Sequence, residues 1–158
     1  MTAAPLKTET AAEQPLDAIL ELTHEGWLEN VRRQLAPALD PGADFWTRWA
    51  AVRYLNDEFL NRFQWELVLV DELKPFLAAD ASERLRLEGA RLARLRLEVD
   101  RIGRRRGTAA EMAAATRAFL DQLVLWCAEI DTCARGIPWE ALTGDVGSFL
   151  VHLERIRQ

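Results

Sequence analysis

The chain has 158 residues, of which 49% are hydrophobic and 28% charged, and its net charge is −5. That length suits one domain burying about two thirds of the surface its unfolded chain exposes, and the composition excludes a disordered or fibrous protein. No uncharged apolar run reaches about 18 residues, and the opening MTAAPLKTETAAEQ has no apolar core, so the sequence predicts neither a membrane span nor a signal peptide.

Cys127 and Cys133 fall six residues apart on one predicted helix, about 9 Å along its axis, which is too far for a disulfide. Free thiols fit a reducing compartment, and a cytoplasmic protein is expected. Charge is spread unevenly. Nine of the twenty basic residues lie between Arg84 and Arg106, opposed there only by Glu88, Glu98 and Asp100, so the remainder is acidic. With eighteen arginines and two lysines, the arginine excess reads first as a compositional bias.

Residues 1–14 are small and polar without a period and read as a flexible tail, leaving 15–158 as a single domain. A first helix is predicted from Pro15 to about Leu35, before Ala36-Pro37. Its inward face holds Leu16, Leu20, Trp27, Val31 and Leu35, with Thr23 and His24 on the same side. Asp44 is the expected N-cap of a long second helix ending near Lys74-Pro75. At 100° per residue that helix has one core face of Phe45, Trp49, Val52, Phe59, Leu60, Phe63, Leu67 and Val70. A second apolar face, centred on Tyr54, Trp65 and Leu69, lies roughly 120° away, and a helix so apolar must be covered on two sides.

Asp80-Ala81-Ser82-Glu83 reads as a capping box opening a third helix whose buried strip is Leu85, Leu92, Leu95, Val99 and Ile102. Thr108-Ala109-Ala110-Glu111 is a second such box. It opens a fourth helix with Met112, Thr116, Phe119, Leu123, Trp126, Ile130 and Cys133 inward, stopped by Gly136. Val146, Phe149, Leu150 and Leu153 form the stripe of a short last helix. Nothing alternates like a strand, so the predicted fold is all-α: an up-down-up-down four-helix bundle closed by a short fifth C-terminal helix.

Glu21-x-x-His24 is half of the ligand set of a di-iron carboxylate bundle, which takes Glu-x-x-His from two helices and a Glu from each of two more. The fourth helix has no histidine, and its acids Asp121 and Glu129 point outward with Asp131 at the edge. No metal or other cofactor is therefore expected. Glu21, His24, Asn56, Arg62 and Glu66 could instead line a polar pocket, with Arg62 and Glu66 as a four-residue ion pair and Asn56 fixing register. Nucleophile elbows, catalytic cysteine signatures and phosphate-binding glycine loops are all missing, which gives nucleophilic catalysis no footing and leans the reading away from an enzyme.

On the third helix Arg86, Arg91, Arg94, Arg101, Arg104 and Arg105 lie opposite the core strip. Pairs such as Arg94 with Glu98 and Asp100 with Arg104 neutralise part of that stripe, and no aromatic residues are interleaved, which argues against nucleic acid. Leu87 and Leu97 point outward among the arginines, a mixture suited to a protein interface. The sequence thus predicts a non-catalytic interaction protein, a homodimer or a small subunit of an assembly. Its expected contact residues are Tyr54, Trp65, Leu69, Leu87, Arg94, Leu97 and Arg101. A small-molecule or metal-binding bundle, and a nucleic-acid-contacting subunit, are the alternatives.

Overall fold

The computed structural model describes residues 14–138, with side chains from 24 onward. Residues 1–13 of the predicted tail and the stripe Val146, Phe149, Leu150 and Leu153 lie outside them, while Gln14 opens the first helix. Five helices follow in order: α1 (Gln14–Leu39), α2 (Phe45–Arg53), α3 (Glu58–Leu73), α4 (Ala79–Arg104) and α5 (Ala109–Arg135). Single 3₁₀ turns occupy Tyr54–Asn56 and Lys74–Phe76. The fold is an all-α helical bundle with no strand among the described residues. None of its described helices is long and apolar enough to cross a membrane.

The expected second helix is broken in two. Asn56 closes the 3₁₀ turn with its side chain reaching across the bundle, donating to Asp100 at 2.9 Å and accepting from Arg96 at 2.8 Å. Asp57 follows with φ −114° and ψ −96°, outside helical geometry. Both residue types compete with the helix by bonding elsewhere. Together α2 and α3 make one bent leg of the bundle, with α4 packed on both and α5 packed on α1 and α4.

Two ends also differ from expectation. α1 passes Pro37 to finish at Leu39. The proline's missing donor faces the carbonyl of exposed Arg33, where water can substitute, while Ala38 just beyond is fully buried. α4 begins at Ala79 with Ala78 as N-cap and no side-chain cap, so no box forms from Asp80 to Glu83, and Glu83 pairs with Arg86 instead. The box at Thr108 and Glu111 is present with both reciprocal bonds, and Asp44 accepts from the Thr47 N–H at 2.8 Å.

The core is aromatic. Phe59 stacks on Trp27 at 5.3 Å and on Phe63 at 5.6 Å, and meets Phe119 edge-on at 5.0 Å. Trp126 stands edge-on to Phe63 and donates its indole N–H to the Leu85 carbonyl at 2.9 Å. Gly89 lets that ring lie against α4, since a Cβ there would approach Trp126 to 3.0 Å. Each such ring adds roughly 1.5–3 kcal/mol by leaving water, and between them they fix the rotation of α1, α3 and α5 about their axes.

Candidate functional site

That rotation brings four ionisable side chains together inside the bundle. His24 of α1 is 2% exposed. Its Nε2 lies 2.8 Å from Oε2 of Glu66 on α3, and its Nδ1 lies 2.5 Å from Oδ1 of Asp131 on α5. Glu66 is fully buried, and its second oxygen accepts from Nε and Nη2 of Arg62 at 3.0 and 2.7 Å. The guanidinium carbon of Arg62 sits 5.0 Å from the Trp27 ring and 4.8 Å from the Trp65 ring. Among the described residues those indole N–H groups have no hydrogen-bond partner, and the rings meet the guanidinium through their faces.

Both nitrogens of His24 face carboxylate oxygens, and only the imidazolium has two N–H groups to give. Burial alone would lower the pKa of His24. The hydrogen bonds and charges of Asp131 and Glu66 outweigh it and raise the value to about 9. Two cations and two anions then alternate along the line Asp131, His24, Glu66, Arg62 and cancel. Cys127 lies within reach of these charges; burial, then Glu66 and Asp131, push its thiol pKa up, the opposite of what a nucleophile needs.

Chemically the line is closed. His24 has no lone pair left to act as a base, and each oxygen of Glu66 is already taken. Among the described residues no group of three or more His, Cys, Asp or Glu side chains is arranged to hold a metal ion. The imidazolium itself fills the position between two carboxylates where a cation would sit.

Of the five residues expected to line a polar pocket, His24, Arg62 and Glu66 therefore meet, as a hydrogen-bonded line. Asn56 does not join them; it pins the bend of the second leg to α4. The side chain of Glu21 lies outside the described residues. Asp131, read from sequence as an edge residue, is the missed member. Its signal was weak because a side chain 30% exposed lies at the boundary between the two faces of α5.

Tyr54, Trp65 and Leu69, expected as an open face of the second helix, are buried within the chain at 9%, 7% and 1% exposure. This corrects that part of the expected contact surface. On α3 the expected core residues Phe59, Phe63 and Val70 are buried and Trp65 turns in over Arg62, while Leu67, also expected in the core, is 41% exposed. Leu87, Arg94, Leu97 and Arg101 do lie outward on α4. Arg104 pairs with Asp100 as expected, but Glu98 takes Arg101 and not Arg94. An open groove of about 670 Å³ between α1 and α5, lined by Arg32, Leu39, Arg117, Leu120, Asp121 and Val124, contains none of the residues singled out from sequence as a site.

What the fold and its interior define is a helical bundle with a buried His24–Glu66 pair flanked by half-buried Asp131 and Arg62. Comparison of the chain with protein-family models, curated proteins and solved structures gives no match, so any function must be argued from these side chains.

Proposed function

We propose that the chain is a non-catalytic helical-bundle interaction protein, acting as a homodimer or as a small subunit of a larger assembly, with the outward face of α4 as its contact surface. The observation that carries this reading is the exposure of Leu87 and Leu97, 52% and 54%, beside Arg94 and Arg101. A lone exposed leucine is ordinary. Leu67 and Val68 on α3, a helix that touches α4, are exposed as well, by 41% and 39%.

Arginine among apolar side chains is interface composition, and none of the described ion pairs uses Arg94, so its charge is available to a partner. The spent donors and acceptors of the His24 line support the non-catalytic half of the reading. Light scattering of the wild type and of the Leu87→Glu, Leu97→Glu double variant tests it. Self-association at tens of micromolar, lost in a variant that melts like the wild type, is the expected result. A wild type that stays monomeric removes the homodimer, and one whose association survives both substitutions removes the α4 face.

A further inference from the structure

Arg106 is the one non-glycine among the described residues with positive φ, at 56°. It stands just past the C-cap of α4, in a turn closed by the Gly107 N–H to the Ile102 carbonyl at 2.9 Å and the Arg106 N–H to the Gly103 carbonyl at 3.1 Å. This is the helix-ending turn in which glycine is the usual left-handed residue, because a Cβ is disfavoured there. The chain does use glycine next door, where a Cβ on Gly107 would come within 2.6 Å of Ile102. At 106 it carries an arginine, so the side chain has a use that outweighs the backbone cost.

That use is at the surface. The guanidinium carbon lies 5.1 Å from the Trp46 ring and 5.7 Å from the Phe45 ring, which themselves meet edge-on at 5.2 Å. Trp46 is 62% exposed, more than any other large hydrophobic side chain described. A cation on an exposed ring gains little stability, about as little as the left-handed backbone loses, so core stability does not account for the arrangement.

We propose that Trp46 and Arg106 form a recognition point for a protein segment that presents a carboxylate beside an apolar side chain. A guanidinium held against the rings keeps N–H donors free for a two-pronged bond to a carboxylate, while the open face of the indole takes the apolar neighbour. Tryptophan and arginine are the side chains most often central to protein contacts, and a fixed backbone lowers the ordering cost of using them. Charge selects a protein segment over a nucleic-acid strand. Arg101, Arg104 and Arg105 are already held by Glu98, Asp100 and Glu111, which leaves Arg106 as a single cation with no run of others to follow a phosphate chain. The site lies at the corner of α2 and α4, away from Leu87 and Leu97 along α4, and is independent of the contact surface proposed above.

The test selects a phage-displayed library of 12-residue peptides on the full-length protein. Enriched peptides, their Glu→Gln or Asp→Asn forms and a 12-nucleotide oligouridylate are then titrated against wild type, Arg106→Gly and Trp46→Ala. Arg106→Gly relaxes the turn and Trp46→Ala removes an exposed ring, so both variants fold, as matching thermal melts will register. The expected result is an acidic residue next to an apolar one in the enriched set, with binding weakened about tenfold or more by either variant and by neutralising the peptide acid. Enrichment without that pattern, or equal affinity for the three proteins, overturns the proposal. Oligouridylate binding that depends on the same two residues also overturns it and makes the corner a nucleic-acid contact.

Discussion

His24 and Glu66 are 42 residues apart in sequence and meet at 2.8 Å, with neither side chain more than 2% exposed. Because Asp131 engages the other nitrogen, the contact needs a protonated ring. The folded pKa of about 9 stands above the unfolded 6.5, so the stabilisation is complete below about pH 6.5 and lost as pH rises through 9. The charges facing the ring are Glu66 and Arg62 of α3 and Asp131 of α5, with the Cys127 thiol beyond them.

Urea unfolding in a Cys127→Ala background, which removes the one neighbouring thiol, should therefore show stability falling by on the order of 3 kcal/mol between pH 6 and pH 9.5. His24→Gln should flatten that slope. Parallel pH curves for the two proteins would mean that the ring is not held as the imidazolium.

Removing one member of the line should cost more than removing several. Glu66→Leu leaves buried His24 and half-buried Arg62 without their shared anion, for an expected loss of about 3 to 5 kcal/mol. The triple variant His24→Leu, Glu66→Leu, Arg62→Leu releases only Asp131, which already reaches solvent, and should be destabilised less than the single variant. A triple variant less stable than the single one would show that the line is favourable outright and not merely costly to break.

Two sequence signals of the same form should behave differently on mutation. Thr108→Ala removes a real cap and should cost about 1 kcal/mol. Asp80→Ala, at the matching position of the other signal, removes no N-cap, because Ala78 is the N-cap of α4, and should stay within about 0.5 kcal/mol of wild type. Equal losses in chemical denaturation would place the start of α4 at Asp80 after all.

Gly103 is the contact point of α2 on α4. A Cβ there would fall 2.2 Å from the Trp49 ring, so Gly103→Ala should lower stability by about 1 to 3 kcal/mol through overpacking. Trp49→Leu in the same chain should recover part of the loss. If Gly103→Ala is silent on its own, the ring does not lie against α4 in solution.

Trp65→Glu should unfold the protein and not merely change its molar mass. The ring is 7% exposed and covers Arg62, and a carboxylate in its place would be a buried charge lacking a dedicated partner. A folded Trp65→Glu monomer from a wild-type dimer would restore this side chain to an interface.

Most helices were legible because their signals are local. The three- and four-residue spacing of Trp27, Val31 and Leu35, or of Met112, Thr116, Phe119, Leu123 and Trp126, needs only one helix to be read. The caps at Asp44 and Thr108 need only one turn, and Arg62 and Glu66 are one turn apart. The outward positions of Leu87 and Leu97 follow from the same period once the core strip of α4 is known.

Position along the chain says little about what lies across it. That His24 points inward was readable on its own helix; that its partners are Glu66 and Asp131, at separations of 42 and 107 residues, depends on the rotation and height of α3 and α5. The bend at Asn56 and Asp57 escaped a reading at constant 100° per residue, which does not register the bonds Asn56 makes to Arg96 and Asp100 on another helix. Of the expected core face of the second leg, Val52, Phe59, Phe63 and Val70 are buried, but Leu67 is exposed and the buried arc extends to Trp65 and Leu69. Hydrophobic period determines that a helix has an inside, whereas close packing of neighbouring helices decides which residues complete it.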